Sequence, residues 1–482
     1  MSIVTQVAQY LPSVRKPDRN LSFKEKLTWT GVILILYYVL GVIYIAGASS
    51  RQIAQFQTLQ TVLGAQIGTL ITLGIGPIVS ASIILQLLVG SDIIPWDLNK
   101  PEDKAKFQDT QKLLAYAFAV FESFAFVAMG AVRPASNSLP IFLLVVGQLA
   151  LGASLIILMD EIVSKWGFHS GVSLFILAGV SQTIMIRLIS PIASGAQGLG
   201  GLWFNAGSAP AGVLLQIMTQ QASASSIIGL VFTVIVFAVG VYAQSMRVEI
   251  PLTFGNVRGF GRKWPLKFVY TNVIPVIFVS AIISNFQLWS SVMSRRGVSL
   301  ALNLPLFREP FYIVGQYNPQ VGAAPNQLIY YFTAPTNLPT LIYNSLTSMS
   351  LQVPPHVIVQ TLTYTSFYVV ASAIFSVFWM KTSGQDPSSV ADQIMNIGMK
   401  VPGFRKDKRV IVKILNRYIP PLSVLGGAFI GFLAALANFT NSFGTGTGIL
   451  LAVMIAFQFY EEVVKKHMEE MHPALRNFMQ EM

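Results

Sequence analysis

A single carboxylate, Glu122, sits deep inside a long apolar run, LLAYAFAVFESFAFVAMG. A charge there is costly unless it finds a partner, so it marks either a functional polar contact or a buried hydrogen-bonding group. The other chemistry-bearing residues form no reactive set. The histidines are His169, His356, His467 and His472. The run HMEEMH at 467–472 lacks the His-Glu-x-x-His order of a zinc protease. Residues 444–448 read GTGTG but lack the strand and the lysine of a phosphate-binding loop, and better suit the start of a tightly packed helix. His169 and Ser170 are neighbours in sequence and so face different ways on a helix, which gives no hydrolase pair. Without cysteine there are no disulfides, thiolate metal sites or Cys nucleophiles. The residues predict no catalytic group, no metal site and no cofactor, and an intramembrane enzyme is the weakest reading.

What must position Glu122 is a membrane-crossing scaffold. About 20 apolar helical residues cross a bilayer core about 30 Å thick. Windows of this kind fall at about 28–47, 70–90, 111–131, 139–160, 168–188, 225–246, 271–292, 355–380, 420–438 and 446–464. They are continuous, whereas barrel strands would alternate in segments of about ten residues. The composition agrees, at 53% hydrophobic and 11% charged. The expected fold is an all-α polytopic membrane protein with ten transmembrane helices.

Basic residues set the orientation. With the N-terminus inside, the outer side holds only Arg51, Arg133, Arg187, Arg295, Arg296 and Arg308 of the 32 Lys and Arg. Both termini are therefore expected to be cytoplasmic in a multi-pass protein of the cell membrane. Residues 1–27, polar and basic with scattered apolar positions, should lie along the inner interface. The expected divisions are this segment, an N-terminal half at 28–190, an outer loop at 191–224, a C-terminal half at 225–466 and a cytoplasmic tail at 467–482.

Five spans per half is an odd number, so the second half enters the membrane inverted, as in many transport proteins. Two apolar pieces are too short to span, Ile53 to Leu63 and Ala211 to Met218. The first could be a re-entrant half-helix or an ordinary outer loop. Gly74, Gly76 and Pro77 in the second span and Pro275 in the seventh invite kinks and suggest a moving seam, although both residue types are common in membrane helices. The outer loop at 293–353 is rich in Pro, Asn and Tyr and predicts turns with a short hairpin.

Several long segments resemble the SecY family in its archaeal form. They are GTLITLGIGPIVSASIILQLL, SMRVEIP (Ser245 to Pro251), NVIPVIF (Asn272 to Phe278), GFRK (Gly403 to Lys406) and RYIPP (Arg417 to Pro421). The likeness covers nearly all ten spans and is weakest at 50–65 and 293–353. It implies a protein-conducting channel, with two inverted five-helix halves around a central pore. Secretory polypeptides would cross through it, and hydrophobic segments would leave sideways into lipid. The implied pore ring is Ile75, Val79, Val172, Ile176, Ile277 and Leu451. Aliphatic rings offer no hydrogen bonds, so a narrow one dewets and resists ions. Ile53, Ala54, Phe56, Leu59, Val62 and Leu63 fall in the implied plug. The family often places a basic residue directly before Ile-Gly-Thr, where this chain has Gln66. Ser80, Glu122 and Asn285 fall at the implied lateral gate between spans two and seven.

The resemblance also implies a ribosome-docking surface on the cytoplasmic loops 247–268 and 381–419. Its residues are Arg247, Arg258, Arg262, Lys263, Arg405, Lys406, Lys408 and Arg409, although orientation bias alone would place basic residues there too. Implied partners are small SecE-type and Sec-beta-type membrane subunits, the ribosome, signal sequences, nascent polypeptides and the lipid bilayer. The rival reading is a secondary transporter of a small solute. A carrier should show a mid-membrane cluster of substrate ligands, and the single carboxylate argues against one.

Overall fold

The structure, a computed structural model, describes residues 11–48, 66, 68–91, 93–98, 100–128, 131–136, 138–191, 210, 212–254, 261–295, 297, 299–302, 310–314, 323–335, 338, 341, 345, 354–396, 399–400, 407–440, 442 and 445–470. Helix α1 (Phe23–Val42) begins where Ser22 and Glu25 form a capping box, each side chain satisfying the other's backbone N–H. There follow α2 (Gly76–Gly90), α3 (Pro101–Ala128), α4 (Leu139–Trp166), α5 (Gly171–Ile189), the short α6 (Val213–Met218) and α7 (Ala224–Ser245). The second part of the chain carries β1 (Arg247–Phe254), β2 (Gly261–Lys267), α8 (Ile274–Arg295), β3 (Leu300–Leu302), β4 (Phe311–Val314), α9 (Leu328–Tyr331) and α10 (Pro355–Thr382). It closes with α11 (Pro387–Asn396), β5 (Met399–Lys400), α12 (Lys408–Phe439) and α13 (Gly446–Glu470).

Each apolar window of the sequence contains a helix. Eight of the described helices are long and apolar enough to cross a membrane, while α2 and the Ile274–Gln287 part of α8 are shorter. The protein is thus a predominantly helical, multi-pass membrane protein. One apolar core joins side chains of α1 to α5 with those of α8, α10, α12 and α13.

The second window corrects the sequence reading. Its first residues are turns, with Gly68 and Gly74 in the left-handed region, and the helix starts only at Gly76 with Pro77 in its first turn. Pro77 therefore kinks nothing, because an initial helical position needs no N–H donor. Pro275 behaves alike, one residue after α8 begins, and Asn272 takes φ 56°. Gly74 and Asn272 each stand three residues before their proline, so both halves use the same local device. The turn segment is tolerated because protein surrounds it: Thr69, Ile71, Thr72, Leu73 and Ile75 are all buried. Its backbone is satisfied by Leu70 N–H to the Ile43 carbonyl at 3.0 Å, Gly74 to Ile71 at 2.9 Å and Gly76 to Leu73 at 3.0 Å. Gly152 of α4 lets this segment approach, since a Cβ there would lie 1.8 Å from the Leu70 carbonyl oxygen.

The basic loop 247–268 holds a structure that apolar windows could not reveal. β1 and β2 form an antiparallel hairpin with Arg247 opposite Lys267, and β5 pairs with β1 through Thr253 and Lys400. The loop at 381–419 is thereby joined to it. Beneath lies a second apolar cluster in which Leu266 packs with Met380, Val390, Ile394, Ile411 and Leu415. The Tyr270 hydroxyl donates to the Gln385 carbonyl at 2.8 Å, and burial pushes its pKa up. The segment that follows α8 carries the expected hairpin, β3 against β4.

Candidate functional site

Ile75 occupies the N-cap of α2, and its carbonyl accepts the N–H of Val79 at 3.0 Å, which puts both on the first turn. On α5, the Asp160 carboxylate accepts the Val172 N–H at 2.9 Å and fixes the helix start, so Ile176 stands one turn further on the same face. Gly171 makes this possible, because a Cβ there would come within 2.5 Å of the Asp160 Cα. Ile277 lies in the first turn of α8, its N–H bonded to the Val273 carbonyl at 3.1 Å. Leu451 follows the start of α13, which is pressed onto α12: the Asn438 side chain accepts the Thr447 N–H at 2.8 Å. A Cβ at Gly446 would lie 1.9 Å from the Ala437 carbonyl, so Gly446 opens a tightly packed helix.

These side chains share one environment. Ile75, Ile176 and Leu451 are 0% exposed, Val79 and Ile277 are buried, and Val172 packs against the same core half-buried.

Beside it, a cleft of about 200 Å³ opens between α2, α3 and α8. Ser80, Glu122 and Asn285 all line it, together with Phe121 and Trp289. The Ser80 hydroxyl donates to Glu122 Oε1 at 2.8 Å. That bond joins α2 to α3 and leaves Asn285 as the amide facing them from α8. Phe121 and Trp289 stack across the cleft at 6.4 Å. The partner of the lone carboxylate is a serine on the neighbouring helix, within the Ser80, Glu122 and Asn285 grouping that the family resemblance implies.

Gln66 donates through Nε2 to Gln182 Oε1 on α5 at 2.9 Å, a neutral amide pair. The plug expectation for Ile53, Ala54, Phe56, Leu59, Val62 and Leu63 lies outside the described residues, as do Arg258, Arg405 and Lys406. Of the other basic positions, Arg247 pairs with Glu461 of α13 at 3.4 Å and Lys408 with Asp392 of α11 at 2.7 Å. Lys267 shares Glu461. Arg262 and Lys263 stand on β2 opposite Leu252 and Pro251, and Arg409 opens α12 under its Asp407 cap. The sequence reading missed these ion pairs because charges distant in sequence carry no local signal. No group of three metal-ligating side chains occurs among the described residues.

The chain is thus a multi-span helical protein with one apolar core and, beside it, a cleft that holds the Ser80–Glu122 hydrogen bond. The family model described as SecY matches residues 69–460, and the chain belongs to that family. It is 41% identical over 476 residues to the protein translocase subunit SecY of Methanococcus vannielii, with 99% of each chain covered. Against the corresponding subunit of Methanocaldococcus jannaschii it is 40% identical, covering 99% of this chain and all of the relative. Among solved structures it is similar to one described as a protein-conducting channel, at TM-score 0.78 and 38% identity, covering 98% of this chain and 99% of that one. It is also similar to Sec61 in a canine ribosome-channel complex, at TM-score 0.74, 38% identity and the same coverage. The chain is accordingly a subunit of a protein-conducting translocation channel, without enzymatic chemistry, and the solute-carrier alternative is set aside.

Proposed function

We propose that secretory polypeptides cross through a constriction formed by Ile75, Val79, Val172, Ile176, Ile277 and Leu451. The observation that carries this reading is that these residues, from four helices, belong to or pack against one buried apolar core. Such a collar gives ions no replacement for their hydration, so it seals by dewetting. It also gives an extended polypeptide no hydrogen-bonding partner, so sequences of every kind slide past. The seal parts as ten helices, in two inverted five-helix halves at 28–190 and 225–466, move relative to each other. The shared turn-then-proline device before α2 and α8 supports that symmetry.

Hydrophobic segments leave through the cleft lined by Ser80, Glu122 and Asn285, which acts as the lateral gate. An apolar segment entering there must replace polar contacts worth about 1 kcal/mol each, a cost that a good signal sequence exceeds. Residues 53–63 serve as the plug of the outer funnel. Both termini face the cytoplasm, which places the β1–β2 hairpin and the 381–419 segment on that side. Their basic residues dock ribosomal RNA, consistent with the ribosome complex in which the similar Sec61 was solved. SecE-type and Sec-beta-type subunits complete the assembly.

The test stalls a secretory chain in membranes bearing this protein with photoreactive groups at Ile75 and Leu451. Both positions should crosslink to the threaded chain, and crosslinks confined to outer surfaces would refute the assignment.

A further inference from the structure

Helix α5 carries a single charged side chain, Arg187, in its last turn. Helical phase gives the direction in which it leaves the helix. At 3.6 residues per turn, Val172, Val180, Thr183 and Arg187 all fall within about 40° of the direction of Ile176. Ile176 and Val180 on this stripe are 0% exposed, and the neighbouring Ile184 packs against the main core. Met185, Ile186 and Ile189 point elsewhere and are each more than half exposed. Arg187 is therefore on the core side of α5, and it is half-buried.

The same stripe joins it to two residues of the proposed constriction, Val172 and Ile176. Arg187 stands about 16 Å beyond Ile176 along the helix, toward the end that the bias of basic residues assigns to the outer side. Among the described residues its guanidinium has no ion pair and no hydrogen bond. A cation within a span that faces inward without a partner is costly, and such residues line water-filled paths. The negative end of the α5 dipole offsets only part of that cost.

We propose that Arg187 lines the outer funnel and sets how the charge of a translocating segment affects its passage. Its guanidinium attracts Asp and Glu side chains that have cleared the constriction and opposes Lys and Arg. This role rests on the constriction proposed above, whose aliphatic side chains are indifferent to the sign of a charge. Water keeps the coupling weak. Unit charges about 4 Å apart in bulk water change an equilibrium about fivefold, and at twice that distance about twofold. Salt screens the effect over about 8 Å at physiological ionic strength.

The test follows translocation in membranes bearing the full chain, with two secretory substrates that differ only in a mid-sequence run of glutamates or of lysines. At low salt Arg187→Gln should slow the acidic substrate about twofold and quicken the basic one about twofold, so that their rate ratio falls about fourfold. Arg187→Lys keeps the charge and should keep the parent ratio. So should Arg133→Gln, which removes an exposed cation assigned to the same side. Arg187→Met, whose side chain fills similar space, supplies the neutral variant if the glutamine one fails to insert. An unchanged ratio in the neutral variants overturns the proposal. Equal slowing of both substrates does so too, because a cation that merely caps α5 acts on the fold and not on the sign of a passing charge. Crosslinking from Ile75 and Leu451 is scored alongside: crosslinks with an unchanged ratio remove the role of Arg187 alone, whereas their absence in the parent removes the constriction and this role with it.

Discussion

Replacing Gly152 with alanine should disturb the proposed constriction from a helix that contributes none of its proposed side chains. The new Cβ would lie 1.8 Å from the Leu70 carbonyl oxygen, whereas ordinary contact begins at 3.4 Å. Helix α4 and the turn segment must therefore separate by about an ångström and a half, because close-packed interiors have no slack to absorb the overlap. Overpacking of this kind costs about 1 to 3 kcal/mol. Loss of the Leu70 to Ile43 backbone bond, 3.0 Å in the structure, adds about 1 kcal/mol. The matched control is Gly147→Ala on the same helix, where a Cβ meets nothing within 4 Å and alanine gains about 1 kcal/mol in helix propensity. Thermal unfolding in nanodiscs should rank Gly147→Ala at or above the parent and Gly152→Ala clearly below it. Since Leu70 leads within a few residues to Ile75, planar-bilayer recordings should also show ion leak through Gly152→Ala alone. Equal melting of the two variants, with no leak in either, would refute the claim that this close approach holds the constriction in place.

Glu122→Leu and Asn285→Leu should change which signal sequences open the channel, favouring weaker ones; unchanged selectivity in a translocation assay of graded signals counts against the gate. Arg405→Glu with Lys406→Glu should weaken ribosome binding and flatten its salt dependence, whereas unaltered cosedimentation across a salt series would leave those charges to orientation alone. Glu461→Gln should loosen the base of the β1–β2 hairpin by freeing Arg247 and Lys267, seen as faster amide exchange at Val248 and Leu266. The Tyr270 hydroxyl should stay neutral in the fold above 10.0, where the unfolded side chain ionises. Stability should therefore fall as pH rises past that value, and a Tyr270→Phe variant should show less of this fall.

Helical windows were legible in the residues because length and apolarity decide membrane crossing locally, and all the windows hold helices. The family likeness was legible too, since it rests on long contiguous runs such as GTLITLGIGPIVSASIILQLL. Other features depend on groups far apart in the chain. The start of α2 at Gly76 in place of about residue 70 was hidden because the turn segment is as apolar as a helix, and only surrounding protein lets its backbone leave helical geometry. The hairpin in the basic loop was hidden because strand pairing, with Pro251 opposite Lys263, gives no apolar window.

By itself the sequence determined that this chain crosses the membrane many times, which residues are apolar enough to do so and where its lone mid-span carboxylate stands. Tertiary structure alone decided that Glu461 ties down the hairpin and that α2 begins only at Gly76, and it supplied the geometry of the Ser80–Glu122 bond whose residues the family likeness had grouped. The division has a physical origin: partition into lipid is a sum over neighbouring residues, whereas a hydrogen bond or a packed collar requires a partner that the chain supplies only after it folds.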